Sequence, residues 1–250
     1  MRSGLNIHCG FGLRKKWLEE YFSHSESFSQ LLGNKQFSSL KSWLKTLGIE
    51  GQNKDSKELL SNIRFLGLKN LATWEIFWIN IVFNFRPAKC YVFKTYDEIW
   101  TNRAYTTSQL RDLLLSYYPM KSPRTISNAI LELVGTLEYT PIGDKLRQGK
   151  VLRKGRAREV IREGYKPSAI GLNYSLMKLF NQQDTSSLDL NDERLLWPWI
   201  IFGCKKHDLL PEIVLSSKYY DLDGHIISLT KLAREEMPKW LNGSILISSI

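Results

Sequence analysis

The side chains of this 250-residue chain that could do chemistry are few and scattered. Metal binding needs clustered ligands. His8 with Cys9, and Cys204 with His207, are the only close histidine–cysteine pairs, and neither has the paired spacing of a zinc site. Asp221, Asp223 and His225 offer donors at alternate positions, but Asp223-Gly224 is explained by turn geometry, and the downstream acidic ligand of a calcium loop is missing. The chain has neither a GxxxxGK[ST] phosphate loop nor a strand-linked GxGxxG element. Carboxylates such as Asp97, Glu98, Glu132 and Asp144 leave room for a nuclease, because metal-dependent nucleases assemble ligands from distant positions. The expectation is a non-enzyme with no catalytic residues, metal site or cofactor.

Positive charge is the stronger signal. Between Lys145 and Lys166 lie Lys145, Arg147, Lys150, Arg153, Lys154, Arg156, Arg158, Arg162 and Lys166, opposed by Glu159 and Glu163, so this stretch carries +7 of the chain's net +10. Gly149, Gly155 and Gly164 interrupt it, which suits a mobile loop or hairpin more than one long helix. Such a basic hairpin would straddle phosphates, each neutralised phosphate contributing through counterion release. A solvated face, or a surface for an acidic partner protein, accounts for the same residues. The phosphate-contact set is Arg147, Lys150, Arg153, Lys154, Arg156, Arg158, Arg162 and Lys166.

The elements that must position these charges lie just upstream. Ser122 stands where an N-cap belongs and Pro123 at the first helical position; Ile126, Ala129, Ile130, Leu133 and Val134 then recur at helical spacing. The preceding TTSQLRDLLLSYYP has its own cap in Thr106 or Thr107, an apolar face of Leu110, Leu113, Leu114 and Tyr117, and an end before Pro119. Two short capped helices with a tight connection make a helix-turn-helix, or an ordinary packed pair. In a DNA reader the second helix brings its N-terminal residues to a groove. Lys121, Arg124, Thr125, Ser127 and Asn128 are the residues so placed.

Elsewhere, Leu13, Trp17, Leu18 and Tyr21 mark an amphipathic helix, and Ser25 to Leu32 a short one. After Gly33, Phe37, Leu40, Trp43, Leu44 and Leu47 form one stripe ending at Gly48, a second helix-turn-helix candidate. LATWEIFWINIVFNF is apolar nearly all round and belongs inside. Lys89 to Lys94 reads as a short strand or a helix end. KPSAIGLNYSLMKLFN is a further helix, and DERLLWPWIIFGCKK is helical with a kink or restart at Pro198. KYYDLDGHIISLT is the clearest hairpin, its runs joined at Asp223-Gly224 as in a type I′ turn. Its loop is weakly charged, which suits a scaffold or dimerisation unit. LNGSILISSI reads as an added strand or a fraying end. The longest apolar run, IFWINIVFNF, is interrupted by Asn80 and Asn84 and falls short of a membrane span.

SPRTISNAILELVGTLEYTPIGDKLRQGKV, followed by RKGRAREVIREGYKPSAIGLNYSLMKLF, resembles the later part of an uncharacterised family encoded in prokaryotic DNA-phosphorothioation and phage-defence loci, beside enzymes similar to phosphoadenosine-phosphosulfate reductase. GFGLRKKWLEEYF resembles that family's opening Arg-x-x-Trp-Leu segment, and LLGNKQFSSLKSWLKTLGI its Leu-Gly-x-x-Lys...Trp-Leu...Leu-Gly segment. IHCGFGLRKKW departs from the Gly-His-Glu-Thr-Phe form of many members. The resemblance implies a helical, winged-helix-like accessory protein of antiviral defence with DNA as its target, and implies no reaction.

The expected architecture is mainly α, with several helix-turn-helix or winged-helix-like modules and short β-hairpins. Boundaries fall in polar stretches: 1–54 an N-terminal helical module, 55–183 a central module with the basic segment, 184–250 a C-terminal winged-helix-like module. Three widely spaced cysteines, Cys9, Cys90 and Cys204, and the lack of a signal-peptide core point to the reducing cytoplasm. The expected partner is double-stranded DNA, with other subunits of a DNA-modification or defence complex as the alternative.

Overall fold

The computed structural model describes residues 4–23, 32–51, 54–155, 157–215, 218–233 and 235. Helices α1 (Lys15–Ser23), α2 (Asn34–Thr46), α3 (Lys54–Leu66), α4 (Leu71–Asn84) and α5 (Arg86–Tyr96) lead through a 3-10 turn (Ile99–Thr101) to β1 (Ala104–Thr106), α6 (Thr107–Tyr117) and α7 (Pro123–Tyr139). Then come α8 (Pro141–Asp144), β2 (Lys150–Lys154), β3 (Ala157–Ile161), α9 (Ala169–Gln183), β4 (Ser187–Asp189), α10 (Pro198–Phe202), α11 (Lys206–Leu215), β5 (Tyr220–Asp223) and β6 (Ile226–Leu229). The fold is mainly helical with two small three-stranded antiparallel sheets.

The middle of the molecule is α4. Its N-cap Asn70 accepts from the Ala72 amide at 3.0 Å, and Ala72 to Val82 are buried without a break. The polar groups that such burial would orphan are each matched. Asn80 donates to the Leu47 carbonyl at 2.9 Å and accepts from the Tyr174 hydroxyl at 3.1 Å, so both asparagines that interrupt the apolar run have partners, Asn84 donating to the Thr46 carbonyl at 2.9 Å. Glu75 accepts from the amide and hydroxyl of Ser168, the N-cap of α9, and so closes the start of that helix. Helices α2, α3, α5, α8 and α9 all pack on α4. Buried side chains from Leu5 to Ala233 form one cluster, a core common to the stretches 1–54, 55–183 and 184–250.

The two sheets sit in matching surroundings. In the first, α5, β1, α6, α7, β2 and β3 come in that order, interrupted by the 3-10 turn after α5 and the short α8 before β2, and the strands lie in the order β1-β3-β2. In the second, α9, β4, α10, α11, β5 and β6 repeat that succession, with the order β4-β6-β5. Both hairpins turn at a glycine in the left-handed region, Gly155 at φ +61° and Gly224 at φ +57°.

Local signals and structure differ in three places. Lys89 to Lys94 lie inside α5, because Pro87 occupies the first turn, where its missing amide is harmless. Asp223 pairs with Ile226, so the turn residues are Gly224 and His225, and only Gly224 has positive φ; this is the pattern of a type II′ turn, not the expected type I′. The helix expected over DERLLWPWIIFGCKK forms only from Pro198 to Phe202, and the residues before it are turns and coil. The helix expected over 25–32 lies, but for Leu32, outside the described residues, as do LNGSILISSI and Arg156.

Candidate functional site

Helix α7 is built to hold its N-terminus open and its middle closed. The Ser122 hydroxyl accepts from the Thr125 amide at 3.2 Å, fixing the first turn. Helix α6 begins with a reciprocal capping box between Thr106 and Gln109. Around the tight connection, Lys121 and Arg124 are exposed, while Thr125, Ser127 and Asn128 are half-buried. Neither Lys121 nor Arg124 has a carboxylate partner among the described residues. Met120 beside them is 95 % exposed.

One turn further, the N-terminal segment crosses the helix. Glu132 is fully buried and accepts from the backbone amides of His8 at 3.1 Å and Gly10 at 2.7 Å, and Thr136 accepts from the Leu13 amide at 2.9 Å. Gly12 rests so closely on Gly135 that a Cβ on it would fall 2.3 Å from the Gly135 carbonyl carbon. His8 lies parallel to Trp43 with ring centroids 3.5 Å apart, its Nδ1 at 3.2 Å from Glu132 and its Nε2 at 2.8 Å from the Thr46 hydroxyl. A carboxylate can only accept, so Nδ1 carries the proton, and Nε2 faces the Thr46 hydroxyl, which also lies 3.1 Å from the Ser42 carbonyl. Burial holds the His8 pKa below its usual 6.5, against the pull of Glu132, and the ring is neutral. The stretch from Glu132 to Leu137 is therefore closed to a ligand, while the first two turns of α7 remain open.

The hairpin β2–β3 is tied to the other end of the same helix. Arg153 and Arg158 are directly opposed in the register of the two strands. Glu138, in the last turn of α7, receives Arg153 Nε at 2.6 Å and stands 3.5 Å from Arg158 Nε. Arg153 also donates to the Tyr139 hydroxyl at 3.0 Å, and the Arg14 guanidinium lies 4.9 Å from the centre of the Tyr139 ring. The Glu138 carboxylate raises the Arg153 pKa above the ordinary guanidinium value. From Arg124 to Glu138 is about 21 Å along the axis, and the positions fall within about 40° of one another around it. The hairpin arginines and the open N-terminus thus flank one side of one helix.

The remaining cations have other fates. Arg147 pairs with Glu163 at 2.9 Å, Lys154 with Glu159 at 2.8 Å, and Lys166 with Glu212 of α11 at 2.9 Å. Lys150 is exposed and has no ion pair among the described residues. Arg156 lies outside the described residues.

Arg162 does not belong to the surface at all. It is 2 % exposed and donates to Gln148 Oε1, Thr95 Oγ1 and the carbonyls of Val92, Ile200 and Ile201, at 2.7 to 3.2 Å. Among the described residues no carboxylate pairs with it, and desolvation lowers its pKa to about 10. The expectation that Arg162 contacts phosphate is corrected: its fork is consumed joining α5 and β3 to α10. The signal is present in the strand pattern, since Val160 and Arg162 stand two apart and share an inward face.

No protein-family model, curated protein or solved structure matches the chain.

The carboxylates that could have served a nuclease are distributed. Glu132 holds the N-terminal segment, Glu98 accepts from Arg103 at 2.8 Å and from the Tyr105 hydroxyl, Asp97 caps the end of α5, and Asp144 lies beside Lys145. Among the described residues no group of three or more His, Cys, Asp or Glu side chains could hold a metal ion, and no helix is long and apolar enough to cross a membrane. Glu138 and Tyr139 are what sequence reasoning missed. Their role depends on pairing with Arg153 of β2, 15 and 14 positions further along the chain, which no local pattern encodes.

Proposed function

We propose that the chain is a non-catalytic accessory protein that grips duplex DNA, the central unit acting as a winged helix: α7 is the recognition-type helix and the β2–β3 hairpin the wing. The observation that carries this reading is the anchoring of Arg153 and Arg158 to the helix whose other end leaves Lys121 and Arg124 exposed and without a carboxylate partner among the described residues. Helix termini and arginine forks are suited to phosphates, while Ser127 and Asn128 stand where side chains meet base edges. The covered middle of α7 limits groove contact to its first two turns. The family resemblance supplies the setting, a cytoplasmic DNA-phosphorothioation or phage-defence system.

A mobility-shift titration with duplex DNA, single strands and RNA at several salt concentrations tests the reading. The wild type is expected to prefer duplex DNA and to weaken steeply with salt. Folded Lys121→Ala/Arg124→Ala protein with undiminished affinity would count against it.

A second reading is a scaffold subunit that docks an acidic partner of the same kind of complex. Met120 at 95 % and Tyr117 at 50 % exposed favour it, since apolar side chains presented beside cations suit a protein interface. It predicts co-purification with a neighbouring gene product and no appreciable DNA affinity in the isolated protein.

A further inference from the structure

Two arginines opposed in a strand register repel each other unless an anion lies between them. Here that anion comes from the protein itself. The Glu138 side chain is 12 % exposed; its Oε1 takes Arg153 Nε at 2.6 Å and Nη2 at 2.5 Å, and its Oε2 is 3.5 Å from Arg158 Nε without a formal hydrogen bond. The Tyr139 hydroxyl completes the cluster by accepting from Arg153. Arg153 itself remains 56 % exposed, with Arg158 at 28 %. Two guanidinium groups in register and a hydroxyl, already closed around one oxyanion, make the donor set that holds a phosphodiester.

We propose that this cluster is a phosphate site already occupied by the protein's own carboxylate, so that Glu138 competes with DNA for Arg153 and Arg158. The inference rests on the DNA-binding reading above and deepens it. In the free protein Glu138 keeps the hairpin against the end of α7 and cancels part of its charge. When a backbone phosphate arrives, the arginines turn outward to it, and Glu138 is left close to a second negative charge. The carboxylate therefore weakens binding and discriminates against surfaces with sparse phosphates, because only a dense array of them repays the exchange.

The test is DNA affinity across salt for Glu138→Gln, which keeps the shape and removes the charge. Affinity is expected to rise roughly three- to ten-fold at low salt, the range for one like-charge contact in partly screened surroundings. The slope of log affinity against log salt should steepen by up to about 0.9. The gain should vanish in the Arg153→Gln/Arg158→Gln background, which a purely structural role for Glu138 would not predict. If Glu138→Gln does not fold, Glu138→Ala is read by the same criteria. Folded protein of unchanged or weaker affinity overturns the inference, provided that Lys121→Ala/Arg124→Ala still weakens binding. If no variant and no wild-type protein binds DNA, the DNA-binding reading falls first and takes the inference with it.

Discussion

The two sheet-bearing units share a strand order and, but for the short α8 of the first, an order of elements, yet their hairpins carry opposite charge. The first hairpin presents Lys150, Arg153, Lys154 and Arg158 against Glu159; the second presents Asp221 and Asp223 and has no lysine or arginine from Tyr220 to Leu229. Their third helices differ as well. Helix α7 runs 17 residues from a Ser122 cap, whereas α11 has 10 and contains Pro211, which cannot donate its backbone bond. The scaffold is thus set by buried periodicity and glycine turns, which both units have. What each can bind is set by exposed positions that the fold leaves free to vary.

The joint between the units offers the largest effect. Arg162→Ala removes the donors to Gln148 and to the carbonyls of Val92, Ile200 and Ile201, leaving buried acceptors unpaired beside a cavity. A loss of about 3 to 5 kcal/mol in chemical denaturation is expected, and Arg162→Lys should recover only part of it. An unchanged midpoint would mean that the units are not held together in this way.

Next, the comparison can be inverted. Asp221→Lys/Asp223→Lys puts positive charge on the second hairpin, whose turn tolerates it because both side chains are exposed. Only a small, non-specific gain in DNA affinity is expected, since the exposed first turn of α11 carries Asp208 and its Lys206 is bound to the Leu190 carbonyl and Asn191. A gain as large as the loss from removing the central cations would show that charge alone, and not its placement beside α7, governs binding.

A pH dependence sharpens the role of the covered helix. The His8 pKa is lowered by burial, so the folded state resists protonation that the unfolded chain accepts. His8 therefore leaves stability intact above about 6.5 and erodes it as pH falls from there towards the folded-state pKa. Thermal melts between pH 8 and 5 should show a shallower decline for His8→Asn than for wild type. Equal slopes would contradict a neutral buried ring. The smallest effect is Ser122→Ala, a loss of about 1 kcal/mol confined to the start of α7 and visible in amide exchange there.

These elements differ in how far the chain's local chemistry announces them. Ser122-Pro123, the Thr106–Gln109 box and Gly48 at φ +76° are legible because caps act over three or four residues. The all-round apolar α4 is legible for a similar reason, since no exposed face remains to be assigned. The basic run misleads on Arg162: residue type suggests surface, while the strand alternation that carries Val160 inward carries Arg162 with it. The second hairpin's turn is legible as a turn but shifted by one residue, because register depends on partners and not on the Asp-Gly pair alone. Glu138 is invisible for the same reason, its arginines reaching it from two strands packed against the end of its helix.

The central claim is most directly tested by the salt dependence of duplex-DNA affinity for wild type and for Arg153→Gln/Lys154→Gln/Arg156→Gln/Arg158→Gln protein, with melting temperature as a control. The account predicts tight binding at low salt that falls steeply as salt rises, and a folded variant with weaker binding and a slope reduced by about 0.9 for each phosphate it no longer neutralises. Identical slopes and affinities in two equally stable proteins would contradict it.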